Sequence, residues 1–231
     1  GANYPEALRY VAEKYNIEII EEALSTEQAD KISAKESQLI ATKFASKYFQ
    51  DTLWNTEEGR AVGLSYFKER GFSDLIIKQF KLGYSPKKQN SFETHAIKAG
   101  YDKEILIESS LVGENKDGKS YDKFRERIIF PIHSYSGKVI GFGGRAFNPD
   151  AKSKYLNSAE TLIYDKSKVL YGLDVSKQAI SKANKCFIVE GYTDVISMYQ
   201  NGIKNVVSAS GTALGSYQIS LIKRSTNNVV L

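Results

Sequence analysis

Apolar runs and helical patterns alternate regularly in residues 186–231, and few folds accommodate that order. The apolar runs are residues 187–189, 206–207 and 229–231. One stretch of helical spacing covers residues 192–200, and a second opens at Gly211 and Thr212. Strands that alternate with single helices predict parallel βαβ units, whose ligands bind beyond the carboxyl ends of the strands.

Two carboxylates lie where this arrangement predicts a ligand site. Glu190 directly follows the first apolar run, and Asp194 lies one helical turn further on. Carboxylate oxygens are the hard ligands that Mg²⁺ prefers, so both residues are candidates for a metal and catalytic site. The alternative for Asp194 is a charge in the first turn of a helix, where the helix dipole favours an acidic residue.

The pattern upstream predicts helices followed by antiparallel strands. The predicted helices cover residues 28–51, 55–70, 73–80, 92–99 and 102–109. The apolar stripe of the first helix includes Ile32, Ile40 and Phe44. Residues 127–133 and 138–145 are predicted to pair as a hairpin, whereas residues 81–88 and 154–157 are expected in turns and polar connections. The expected fold is an α+β amino-terminal subdomain with a small antiparallel sheet, followed by a partial α/β subdomain with parallel strands.

Positive charge is concentrated in one part of the chain. The formal net charge is +5, and residues 115–170 alone contain eleven Lys or Arg against six Asp or Glu, which equals the whole surplus. A solvated face that aids solubility is the simpler interpretation of a basic surplus. Its concentration in one segment favours binding of a polyanion such as nucleic acid.

Several residues of the basic segment are suited to gripping a nucleic acid strand, because cations neutralise phosphates and aromatic rings stack on bases. Arg125, Arg127 and Arg145 alternate with apolar residues, so their side chains can share one face of a sheet. Lys154 and Tyr155 combine a cation with an aromatic ring. An ordinary salt bridge to Glu126 or another acid is the alternative for Arg127.

The same sequence argues against several other classes of protein. There is no apolar run of about 18 residues or more and no signal-peptide pattern, so a cytoplasmic protein is the default expectation. A single cysteine and two distant histidines, His95 and His133, do not make a zinc site. The glycines of residues 141–144 end a strand without opening a helix, so we expect close backbone approach there, and no dinucleotide site.

A family resemblance runs through most of the chain. The strings VEGYTDV, NGIKNVVSASGTAL and RSTNNVVL resemble the start of the Toprim domain of bacterial DnaG-type DNA primases. Upstream, YDKFRERIIFPI, GKVIGFGGRAF, KYLNSAET and LYGL resemble the basic amino-terminal subdomain of the same family, in the same order. The resemblance implies three parts: a helical tail of an absent zinc-binding domain (residues 1–24), the basic subdomain (residues 25–183) and the first half of Toprim (residues 184–231). The family's Asp-x-Asp metal motif would begin just after Leu231.

The resemblance also implies roles for individual residues. Glu190 would be the carboxylate of a Mg²⁺ or Mn²⁺ site or an acid/base, with Asp194 in support, and zinc would belong only to the absent domain. The residues implied in the template and nucleotide groove are Arg70, Arg125, Arg145, Lys154, Tyr155, Asn157 and Lys166, to which we add Arg127. For Arg70 the alternative is an exposed charge at the end of a helix.

The function expected from the resemblance is the synthesis of short RNA primers from ribonucleoside triphosphates on single-stranded DNA. We expect this chain to bind template but to be inactive by itself. The replicative helicase and single-strand-binding protein would be contacted through other parts, and no membrane partner is expected. The alternatives are another Toprim enzyme, such as a topoisomerase or nuclease, and a non-catalytic module that binds single-stranded nucleic acid.

Overall fold

The computed structural model describes residues 25–148, 153–209 and 213–231, together with residues 11, 12, 14 and 15. The chain divides into two compact units, Gly1–Ala34 and Lys35–Leu231. The predicted helix start at Gly211 and Thr212 lies outside the described residues, and the boundaries predicted at residues 24 and 183 stay predictions. No helix among the described residues has the length and apolar character needed to cross a membrane.

Helices dominate the first half of the described chain. They are α1 (Thr26–Asn55), a π-helical segment (Gly59–Leu64), α2 (Ser65–Glu69), α3 (Asp74–Gln79), α4 (Ser91–Lys98) and α5 (Lys103–Glu108). The predicted single helix over residues 55–70 is therefore a π-helical segment followed by a short α-helix. Just before this segment, Thr56 Oγ1 accepts a hydrogen bond of 2.9 Å from the Gly59 amide.

The buried face of α1 combines small residues with the large side chains of Phe49 and Leu53. Ala41 and Ala45 are fully buried, whereas Ile40 is 58% exposed and Ile32 is 45% exposed. The expected stripe is wrong at these two isoleucines. Small side chains let the helix approach the sheet closely, and Thr42 Oγ1 donates a hydrogen bond of 2.9 Å to the Val139 carbonyl.

A four-stranded antiparallel sheet lies at the centre of the larger unit. Its strands, in spatial order, are β1 (Gly83–Ser85), β4 (Arg127–His133), β5 (Val139–Ala146) and β6 (Tyr155–Asn157). β2 (Val112–Glu114) and β3 (Ser120–Asp122) form a separate ribbon. The predicted hairpin is confirmed as β4 and β5. Residues 83–85 and 155–157 are strands, not the turn and polar connection expected, because pairing with β4 and β5 satisfies their backbone groups.

The last part of the chain has the predicted parallel arrangement. Its elements are α6 (Leu173–Ala183), β7 (Cys186–Val189), α7 (Tyr192–Gln200), β8 (Val206–Ser208), α8 (Ser216–Lys223) and β9 (Val229–Val230). The strands pair in parallel in the order β8-β7-β9. α8 begins at Ser216, later than the predicted start at Gly211. The carboxyl end of β7 is therefore the sheet edge at which a ligand site is expected.

One hydrophobic core connects the antiparallel sheet with the parallel unit. Phe67, Phe130 and Tyr192 belong to the same buried cluster, although they come from α2, β4 and α7. A Cβ atom at Gly143 would overlap the ring of Tyr192, so the glycine permits this contact. The expected close approach at the glycine-rich strand is thus confirmed, and the approaching group is a side chain of the parallel unit.

Candidate functional site

A cleft of about 430 Å³ lies at the carboxyl end of β7. We call it the acidic cleft, and it is lined by Phe130, Tyr155, Asn157, Glu190, Gly191, Tyr192, Thr193 and Asp194. Four residues that were selected from the sequence, Tyr155, Asn157, Glu190 and Asp194, come together here. They are contributed by β6, by the end of β7 and by the first turn of α7.

The two carboxylates of the acidic cleft are held by the strand end and by the helix start. The Ser208 hydroxyl donates a hydrogen bond of 2.8 Å to the Glu190 carbonyl, which fixes the backbone and leaves the Glu190 side chain exposed. Asp194 Oδ2 accepts a hydrogen bond of 3.0 Å from the Gly191 amide. Asp194 therefore caps α7, as its alternative interpretation expected, and also lines the cleft.

Tyr192 fixes the floor of the acidic cleft. Its hydroxyl donates a hydrogen bond of 2.7 Å to Asn157 Oδ1, which holds the Asn157 carboxamide in one orientation. Its ring lies 5.3 Å from that of Phe130 and 4.5 Å from that of Tyr171. The sequence reasoning did not select Tyr192, although it follows the Glu-Gly pair directly.

A second cleft, of about 470 Å³, contains two of the predicted arginines. We call it the arginine cleft, and it is lined by Tyr66, Glu69, Arg70, Arg145, Ala146 and Phe147. The guanidinium carbon of Arg70 lies 4.8 Å from the Tyr66 ring centroid, and that of Arg145 lies 4.7 Å from it. Both contacts are within the range of cation–π attraction.

The two clefts adjoin on one face of the antiparallel sheet. Tyr155 lines the acidic cleft, and its ring centroid lies 5.8 Å from the guanidinium of Arg145, which lines the arginine cleft. Arg145 pairs with Tyr155 and Gly143 pairs with Asn157 in the ladder between β5 and β6. Because side chains alternate across a strand, these positions face the same side. Charge, aromatic rings and carboxylates are therefore presented side by side.

The other two predicted arginines lie elsewhere. Arg145 pairs with Ile128 in the ladder between β4 and β5, so Arg127 faces the opposite side of the sheet and the expected shared face is wrong for this pair. Arg127 Nη1 donates hydrogen bonds to the carbonyls of Ser153 at 3.1 Å and Gly144 at 3.4 Å, and burial lowers the pKa of its guanidinium. Among the described residues Arg127 forms no ion pair with Glu126, whose carboxylate lies 3.9 Å from Lys87 Nζ. Arg125 is exposed and lines a third cavity, of about 330 Å³, beside the β2–β3 ribbon.

The two predicted lysines also lie outside both clefts, as far as the described residues show. Lys154 is exposed, and its carbonyl accepts a hydrogen bond of 2.9 Å from the Ala146 amide. Lys166 begins a short 3-10 turn and is half-buried, and its carbonyl accepts from Gln218 Nε2 at 3.3 Å. Neither lysine therefore lines the acidic cleft or the arginine cleft.

The residues at hand fit a divalent metal only in part. Glu190 offers an exposed carboxylate, and Asp194 offers a second one that is already hydrogen-bonded. Within residues 25–148, 153–209 and 213–231, no three His, Cys, Asp or Glu side chains are grouped as a metal site would require. Glu190 is therefore suited to be one ligand among several.

Tyr66 is the second residue that sequence reasoning missed. It precedes Arg70 by four residues on a helical stretch, a spacing that places two side chains on one helix face. That signal was available in the sequence. The contact of Tyr66 with Arg145, which lies 79 positions further along the chain, could not be read from the sequence.

Family profiles match both parts of the chain. The profile described as DNA primase catalytic core, N-terminal domain, matches residues 48–177, and a Toprim-like profile matches residues 187–231. A DNA primase of Halalkalibacterium halodurans is 38% identical over 233 residues, which are 100% of this chain and 38% of that protein. The chain thus spans well under half the length of this curated relative.

Solved structures give the same likeness. A structure of the DnaG primase catalytic domain bound to single-stranded DNA is 34% identical with a TM-score of 0.77, covering 86% of this chain and 63% of that one. A crystal structure of the Aquifex aeolicus primase, with its zinc-binding and RNA polymerase domains, is 29% identical with a TM-score of 0.77. That match covers 98% of this chain and 53% of the Aquifex chain.

Proposed function

This chain belongs to the bacterial DnaG-type DNA primase family, and we propose that it forms the amino-terminal part of a primase polymerase core. In the whole protein, that core would join ribonucleoside triphosphates into short RNA primers on a single-stranded DNA template. The helicase and the single-strand-binding protein would be partners of the whole protein, and zinc would be bound by a separate domain.

One observation carries the proposal: the arginine cleft and the acidic cleft adjoin through Arg145 and Tyr155. A single-stranded template presents phosphates and unstacked bases at once. Arg70 and Arg145 would neutralise phosphates, and the half-exposed ring of Tyr155 would stack on a base. The template would then pass directly beside Glu190.

The remaining predicted residues are proposed to widen this surface. Lys154 and Lys166 lie outside the two clefts, where long flexible side chains can reach phosphates of a bound strand. Arg127 would act mainly by holding the carbonyls of Gly144 and Ser153. Arg125 would contact a strand only if the strand extends to the β2–β3 ribbon.

The acidic cleft is proposed as the place of nucleotidyl transfer. A bound Mg²⁺ or Mn²⁺ supplies the positive charge that stabilises the transferring phosphoryl group. Glu190 would hold that ion through its carboxylate, and Asp194 would keep the start of α7 in place through Gly191. Asn157 would orient a substrate, because Tyr192 holds its carboxamide. With Glu190 as one ligand among several, we expect this chain alone to bind template without extending primers.

Binding of a fluorescently labelled single-stranded oligonucleotide, followed by anisotropy across a salt series, tests the proposal. We expect salt-sensitive binding that Arg145→Ala weakens about tenfold, with a log–log salt slope lower by about 0.7. Arg224→Ala is the matched control, because this exposed arginine of the α8 end lines neither cleft. Equal weakening by both variants, or no binding at low salt, would contradict the proposal.

A further inference from the structure

The arginine cleft holds two cations on one aromatic ring. Tyr66 is only 6% exposed, and the guanidinium groups of Arg70 and Arg145 lie 4.8 Å and 4.7 Å from its centroid. Among the described residues neither arginine forms an ion pair with a carboxylate. The contact with Tyr66 is therefore the interaction that the two guanidinium groups share.

Two like charges repel each other when they are brought together, so their gathering requires a compensating attraction. The face of an aromatic ring attracts a cation through its quadrupole, and a ring removed from water attracts it more strongly. Burial raises the pKa of the Tyr66 hydroxyl, so the ring stays neutral over the whole range in which nucleic acids are bound. A neutral, buried ring can thus attract both guanidinium groups without forming an ion pair with either of them.

The ring itself has little freedom to move. Tyr66 packs edge-on against Phe67, with ring centroids 5.5 Å apart, and both residues belong to the core cluster. Arg70 follows Tyr66 by one helical turn, whereas Arg145 comes from β5. On its other side Arg145 lies 5.8 Å from the ring of Tyr155, which is half-exposed. The order Tyr66, Arg145, Tyr155 leads from the core to the proposed base-stacking surface.

We propose that Tyr66 is a positioning residue that holds Arg70 and Arg145 as a pair before a single strand binds. The proposal rests on the proposed function, since it assumes that the two arginines contact the strand. Tyr66 is too deeply buried to contact the strand itself. Its contribution is that both long side chains are ordered in the free protein, so that binding does not have to order them.

The effect on binding of ordering the two arginines can be separated from the effect of their charge. Ordering a flexible side chain at an interface weakens binding by about threefold to tenfold for each residue. Removing the ring while keeping both arginines should therefore weaken binding by about tenfold to a hundredfold. The number of phosphates neutralised would stay the same, and so would the salt slope. Removing one arginine should instead lower the slope.

The test compares Tyr66→Leu with Tyr66→Phe in oligonucleotide binding across a salt series. We expect Tyr66→Phe, which keeps the ring, to bind within about twofold of the parent chain. Tyr66→Leu should lose about tenfold or more in affinity with an unchanged salt slope. Phe92→Leu is the matched core control, because Phe92 is fully buried in a different core cluster; it should lower thermal stability without lowering affinity.

A second measurement applies even if Tyr66→Leu is too unstable to assay. Aromatic rings shift the NMR signals of groups above their faces upfield, so the Arg70 and Arg145 side chains should show shifted signals in the free chain and in Tyr66→Phe. Unshifted signals in both proteins would overturn the proposal. If the parent chain binds and Tyr66→Leu binds equally well, the role of Tyr66 is overturned while the proposed function stands. If the parent chain does not bind, both proposals are overturned.

Discussion

The acidic cleft and the arginine cleft adjoin, yet they are built in different ways. Glu190, Gly191 and Asp194 are near neighbours in sequence, placed by a strand end and a helix start. Arg70 and Arg145 come from distant segments and are gathered by an aromatic ring. Local backbone rules therefore position the acidic groups, whereas tertiary packing positions the basic ones. Variants that disturb side-chain packing and variants that disturb the backbone should therefore affect the two clefts differently.

The largest expected effect is at Gly143, where the sheet meets the floor of the acidic cleft. A Cβ atom there would overlap the ring of Tyr192, which the core and Asn157 hold in place. Gly143→Ala should lower the free energy of unfolding by about 3 kcal/mol, measured by urea denaturation. Gly215→Ala is the control, since its nearest contact would lie at an ordinary 3.8 Å. Equal stability of the two variants would mean that Tyr192 does not press on β5.

A change remote from both clefts should separate stability from binding. The carboxylate of Asp122 accepts hydrogen bonds from the amides of Phe92 at 2.9 Å and Glu93 at 3.0 Å, at the start of α4. Asp122→Ala should lower the free energy of unfolding by about 2 kcal/mol, since it leaves buried donors unpaired. Oligonucleotide affinity should not change. A fall in affinity would indicate that the neighbouring Arg125 contacts the bound oligonucleotide.

Asp102→Ala is the matched control for that variant, because Asp102 precedes α5 without a side-chain capping bond. Its effect on the free energy of unfolding should stay within about 0.5 kcal/mol. A loss as large as that of Asp122→Ala would show that the two backbone hydrogen bonds are not the cause.

The arginine cleft depends on a side chain from the other end of α7. Gln200 Oε1 accepts from the Ser73 amide at 2.8 Å and its Nε2 donates to the Gly71 carbonyl at 2.8 Å. These bonds fix the turn that directly follows Arg70. Gln200→Leu should lower the free energy of unfolding by about 1 kcal/mol and weaken oligonucleotide binding about threefold. Gln79→Leu also removes a hydrogen bond to α7, to the Tyr199 hydroxyl, and should leave binding unchanged.

The smallest expected effect is a dependence of stability on pH. Burial lowers the pKa of His133 below its ordinary 6.5, although Asp174 lies 3.7 Å away and opposes that shift. As pH falls, the unfolded chain takes up the proton at this histidine before the folded chain does. The contribution of neutral His133 to the free energy of unfolding is therefore fully present above about pH 6.5 and is lost progressively between pH 6.5 and the lower pKa of the folded state. Urea denaturation at pH 7.5 and 5.5 should show this decline in the parent and in His95→Gln. It should be reduced in His133→Gln.

The sequence predicted those parts that short-range rules determine. The parallel strands, α7 and the β4–β5 hairpin appear where periodicity placed them. Strands β1 and β6 were missed because three residues carry little periodicity, and their pairing depends on β4 and β5. Ile40 was assigned to the core because hydrophobicity does not reveal which helix face approaches a sheet. Arg125 was grouped with Arg145 on strand-like alternation, although Arg125 precedes β4 and the two arginines lie beside different cavities.

The central claim is that the two clefts receive one single strand, and photochemical cross-linking tests it most directly. An oligonucleotide that carries 5-iodouracil would be bound, irradiated and mapped by mass spectrometry. Tyr155, which is 51% exposed, lines the acidic cleft and contacts Arg145 of the arginine cleft, should be the main cross-linked residue. Tyr121 and Tyr217 are similarly exposed at 48% and 44% but lie outside the clefts. Cross-links at these two tyrosines, with none at Tyr155, would contradict the account.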